Sequence, residues 1–194
     1  QPRFQKPVSE ITVTKDVQQT QIAIGYRTFG INDARKYAAS VLDAVMGKGM
    51  SSRLFQEVRE KRGLSYDISS RMQFFTDAGM FTVTAGVDPS KEALAVKTIE
   101  KEIDRIRSKK VPASELKRIK EFMLGNFRLS HERVVSKLFF YGSTLLSYGR
   151  LMTTEEQVEA VKAVTAADVL EVAEAIFDPA NRSCSRVVPK KTAQ

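Results

Sequence analysis

Two side chains in the stretch "GKGMSSRLFQEVREKRGLSY", residues 47–66, could act together: Arg59 and Tyr66, seven positions apart. A guanidinium is a permanent cation with five N–H donors in a fixed fork, and a phenol donates one hydrogen bond. Neither suits proton abstraction. Both suit a polarised carbonyl, such as that of a peptide backbone. Ahead of them, Gly47, Lys48 and Gly49 form a short loop in which missing Cβ atoms let the chain turn and approach a neighbour closely. The loop is no phosphate cradle, because it has neither GxGxxG spacing nor the Lys-Ser/Thr pair of a P-loop. A plainer assignment exists, and spacing alone favours it. Arg59 then pairs with Glu57 or Glu60 on a solvated surface, and Tyr66 is a partly buried strand aromatic.

Other chemistries are limited by what the chain lacks. His131 is the only histidine and Cys184 the only cysteine. A His/Cys zinc site needs several such ligands, and no CxxC or intramolecular disulfide can be drawn. His131 lies in the charged run "FRLSHERVVSK" and reads as a surface or junction residue. The net charge of +8 comes from 31 Lys and Arg against 23 Asp and Glu. These are interleaved, as in "EKEIDRIRSKK", which fits mixed-charge helix faces and argues against nucleic acid as partner. No run of eighteen apolar residues is present, so no membrane-spanning helix is expected.

The elements that must position these residues can be read from periodicity. Residues 10–17 and 20–29 alternate and are rich in β-branched side chains, as strands are. A helix follows to Gly47, capped by Asn32 or Asp33 and buried through Ala38, Val41, Leu42 and Val45. Ser51 or Ser52 caps a second helix with Leu54, Phe55 and Val58 as its buried edge. Gly63 is placed to end it in the left-handed conformation, with Leu64 packing back. From Tyr66 the period becomes two, with Tyr66, Ile68, Ser70, Met72 and Phe74 on one face, and "TDAG" turns the chain into a returning strand to residue 87. Helices are expected from Pro89 to Ser108, and from Pro112 toward Leu146 in one run. Two more open on Thr154 with Gln157 and on Thr165 with Asp168, before a last strand in "RSCSRVV". Strands early, helices after and one closing strand predict an α+β fold, an antiparallel sheet covered by helices, in a single domain over residues 1–194. Residues 1–9 read as a linker-like extended segment, as though the chain continued from a longer one.

The run "GKGMSSRLFQEVREKRGLSYDISS" closely resembles the second-half domain of the pitrilysin and insulysin family of zinc metallopeptidases, the inverzincins, to which mitochondrial processing peptidase also belongs. The order of strands, hairpin and helices extends the resemblance over most of the chain. It implies a C-terminal, non-zinc domain facing a zinc-bearing half that carries H-x-x-E-H. It also implies that Arg59 and Tyr66 bind the substrate backbone and stabilise its oxyanion, and that Gly47, Lys48 and Gly49 handle peptide substrate. No H-x-x-E-H occurs here. The expected cofactor is therefore zinc in the missing or partner half and none in this chain, with no metal-ligating residue here. The expected partners are that half and a peptide. The alternative is a non-catalytic scaffold subunit of the same fold. Substrate preference, compartment and a dimeric state stay open.

Overall fold

Alternating β-branched residues form strands at once in the described part of the chain, residues 10–190 of the computed structural model. The linker expected over residues 1–9 lies outside it. The strands are β1 (Glu10–Lys15), β2 (Thr20–Thr28), β3 (Ser65–Phe74), β4 (Gly79–Val87) and β5 (Arg182–Pro189), in the sheet order β1-β5-β2-β4-β3. β2–β4, β3–β4 and β2–β5 are antiparallel, and only the edge pair β1–β5 is parallel. The expected α+β class, a largely antiparallel sheet covered by helices, therefore holds.

Period-two alternation gives the sheet one apolar face, with Ile22, Ile24, Tyr26, Phe81, Val83 and Ala85 buried. The helices against this side are α1 (Lys36–Gly47), α2 (Glu92–Ser108) and α6 (Ala166–Ile176). Phe177 drives into the centre, its ring edge-on to Tyr26 at 5.1 Å and Phe81 at 4.9 Å. α2 buries Ala95, Ile99, Ile103 and Ile106 along one stripe. Arg182 bridges Glu10 and Glu100, and Arg186 bridges Glu10 and Glu92, so two strands are tied to α2 by one network. The remaining helices are α3 (Ala113–His131), α4 (Val134–Tyr148) and α5 (Thr154–Ala163).

Several local expectations need correction. α1 begins at Lys36, because Asp33 bonds the Arg35 amide and guanidinium in a turn ahead of the helix and caps nothing inside it. The run from Pro112 toward Leu146 is two helices. Ser130 Oγ donates to the Phe127 carbonyl and His131 Nδ1 lies 3.0 Å from it, and Arg133 then turns extended. The α5 box is Thr153 with Glu156, one residue earlier than expected, whereas Thr165 with Asp168 caps α6 as read. Finally, Tyr66 does not share the inward face of Ile68 and Ser70. Ser65 pairs with Val87 and Asp67 with Gly86, so Tyr66 is the extra residue of a β-bulge.

Candidate functional site

The segment between α1 and β3 is where local rules bend most. After Gly49 the chain rewinds into a helix whose middle, Phe55–Glu60, is a π-turn, with the Lys61 amide bonded to the Gln56 carbonyl at 3.0 Å. Such wide turns are rare and frequent at functional sites. Leu54 and Val58 face the core, but Phe55 does not join them as expected. The widened turn leaves it half-buried, 4.8 Å beneath the Arg59 guanidinium. The helix closes as its glycine demands: Gly63 is left-handed at φ 56°, its amide bonds the Arg59 carbonyl at 2.9 Å, and Leu64 is buried behind it.

This turn and the bulge bring Arg59 and Tyr66 together. The Arg59 guanidinium lies 4.5 Å from the Tyr66 ring centroid and is thus held between two aromatic faces. Ser65, the inward residue of the bulge, donates its hydroxyl to the Asp67 and Gly86 carbonyls at 2.8 Å, and Tyr66 is turned outward, 79% exposed. Two acids of this corner are bound to other cations. Glu57 accepts from Lys61 at 2.5 Å and Arg62 at 2.6 Å, which hold its carboxyl down at about 2, Lys61 contributing most. Glu115 takes Arg53 in a two-pronged bond at 3.0 and 2.9 Å. Arg59 has only a long contact with Glu60, at 3.8 Å. The plain surface-pair assignment is therefore weak for Arg59, and a buried-aromatic assignment fails for Tyr66.

The glycine loop is positioned by different neighbours. A Cβ on Gly47 would collide with the backbone N and Oγ of Ser70, so α1 can seat its last residue on β3 only as glycine. Gly49 is left-handed at φ 78°, and a Cβ there would stand 3.0 Å from the Phe122 ring. Lys48 pairs at 3.4 Å with Asp43, a buried carboxylate that reading the sequence missed. Asp43 also accepts from the Ser70 hydroxyl at 2.5 Å and the Met72 amide at 3.1 Å, covering part of the free edge of β3. An acid set among the buried Val41, Leu42, Ala44 and Val45 of α1 was the available signal.

The lone histidine and cysteine offer no alternative site. His131 is buried, its ring tilted against Phe127 at 4.0 Å and edge-on to Phe140 at 4.7 Å. Its surroundings do not fit zinc, and among the described residues no three His, Cys, Asp or Glu side chains gather as a metal set would require. Cys184 is buried in β5, and burial pushes its thiol up, away from the reactive thiolate. No helix among the described residues is long and apolar enough to cross a membrane.

Comparison with known proteins identifies the family of this chain. The family described as Peptidase M16 inactive domain matches residues 1–123. An uncharacterized zinc protease of Rickettsia bellii is 33% identical over 166 residues, covering 85% of this chain and 40% of that protein. A protease from Helicobacter pylori superposes with a TM-score of 0.86 at 22% identity, over 94% of this chain and 44% of that one. A chain of complex III2 from Candida albicans superposes at 0.82 with 19% identity, over 94% of this chain and 46% of that one. The chain thus spans about 40% of the length of the curated relatives it matches. With a family model matching most of its length, the chain belongs to the M16 peptidases, as their inactive C-terminal domain.

Proposed function

We propose that this chain is the substrate-clamping half of a zinc-dependent endopeptidase, working opposite a zinc-bearing half. The observation that carries the reading is Arg59, stacked against Phe55 and the exposed Tyr66, with Glu57 bound to other cations and Glu60 no nearer than 3.8 Å. Stacking fixes the plane of the guanidinium, which leaves its N–H fork directed rather than mobile. Arg59 then donates to a backbone carbonyl of a peptide, and the Tyr66 hydroxyl donates to the oxygen on which negative charge develops. Neither gives up a proton. Lys48, half-exposed between Gly47 and Gly49, offers a further donor to an extended peptide.

The test is turnover of an unstructured peptide by the complete peptidase, zinc-bearing half included. Tyr66→Phe and Arg59→Ala are each expected to lower turnover on the order of a hundredfold, the effect of losing one oxyanion donor. A scaffold role is the second reading, favoured by the similarity of fold to a chain of complex III2. Unchanged turnover in both variants would overturn the clamp and leave the scaffold.

A further inference from the structure

Helix α4 is built inside out. Its buried or half-buried positions are Ser136, Phe140, Thr144, Ser147 and Tyr148, a stripe in which three of five side chains carry a small hydroxyl. The positions facing away are Val134, Val135, Leu138, Phe139, Leu145 and Leu146, all exposed, with Val134 at 81% and Leu146 at 89%. A surface helix normally has the opposite arrangement. Lys137 is the only charged residue among the fifteen of α4, in a chain that is 28% charged. Leu129 at the end of α3 and Leu151 just beyond α4 are exposed too.

We infer that the outward face of α4 is where this domain seats the zinc-bearing half of its own peptidase. This rests on the proposed function for the identity of the partner. Two observations choose that occupant. A contiguous apolar surface depleted of charge is the character of a permanent interface, whereas a peptide substrate comes and goes on polar donors such as Arg59. The relatives also supply a permanent partner of sufficient size. This chain covers 40% of the Rickettsia protein and 44% of the Helicobacter protein, so each has a further body larger than this domain. The clamp lies on different elements, the π-turn and the start of β3.

Leu146→Cys reports the cover directly, because Cys184 is buried and competes little for a maleimide. In the 194-residue chain alone this cysteine should label fast. In the complete peptidase it should label at least tenfold more slowly, read by mass spectrometry of the peptide that carries it. Leu138→Asp combined with Leu146→Asp should also abolish co-elution of this chain with a separately produced zinc-bearing half, with its circular dichroism unchanged. Equal labelling in the two contexts would overturn the inference. So would a dimer of the 194-residue chain that the double variant dissolves, since α4 would then cover a second copy of itself. Failure of the clamp is read separately: Tyr66→Phe would leave turnover intact while Leu146→Cys stays protected.

Discussion

The corner between α1 and β3 and the helix α4 are opposite kinds of surface. In the corner nearly every polar group has a partner: Asp43 holds Ser70, Met72 and Lys48, Glu57 holds two cations, and Glu115 holds Arg53. The Arg59 fork, with only its long contact to Glu60, and the outward Tyr66 hydroxyl stand apart from that frame. On α4 the relation is reversed, with hydroxyls turned toward the body and six large apolar side chains toward water. The first pattern is a finished frame for a small set of donors, and the second is a surface lacking its counterpart. Preorganisation and incompleteness thus occupy separate elements of one domain, which keeps the proposed clamp and the proposed seat for a permanent partner apart.

Substitutions can break or sharpen that contrast. The largest effect on stability is expected at Asp43. Asp43→Ala removes a charged acceptor from a buried hydroxyl and from an edge-strand amide, and should lower stability by about 3 kcal/mol in urea denaturation. Gly47→Ala should cost about 2 kcal/mol, because its new methyl group meets Ser70 across a tight helix–strand contact. A smaller effect belongs to Glu57. Its carboxyl is held at about 2 against an ordinary 4.5, so its contribution is complete above the ordinary range and is lost as pH falls toward 2. Wild type should exceed Glu57→Gln by about 1 kcal/mol or less at neutral pH, and the gap should close between pH 4.5 and 2. Smallest of all, Leu146→Ser in the 194-residue chain should move the thermal midpoint by no more than the equivalent of about 0.5 kcal/mol. A large loss there would mean that α4 already has a counterpart within this chain.

The fold was legible in the sequence wherever one element sufficed to reveal it. The β-branched alternation of β2, the stripe of α2, the Gly63 cap and the Thr165–Asp168 box depend on residues close in the chain. Much of what escaped depends on two elements at once. The bulge at Tyr66 exists only relative to β4, since the alternation of "SYDISSRMQF" continues smoothly on paper. The burial of Asp43 needs the edge of β3 to explain it. The break after His131 contains neither glycine nor proline, and follows from side chains of Ser130 and His131 competing for a helix carbonyl. Within the site, the pairing of Arg59 with Tyr66 was foreseeable from a helix end meeting a strand start. The π-turn that slides Phe55 under Arg59 has no sequence signal of its own.

The bulge has a consequence for how this domain tolerates change in length. Two residues, Ser65 and Tyr66, stand opposite one, Val87, so the outward aim of Tyr66 is encoded by a count as much as by an identity. Removing either one would let β3 close into an unbroken ladder, and the aromatic ring, if it remained, would have to take the buried inward place that Ser65 holds. Losing a single codon at this point would therefore take the ring away from the outward place beside Arg59, whereas the same loss in the loop after β4 would leave the ring where it is.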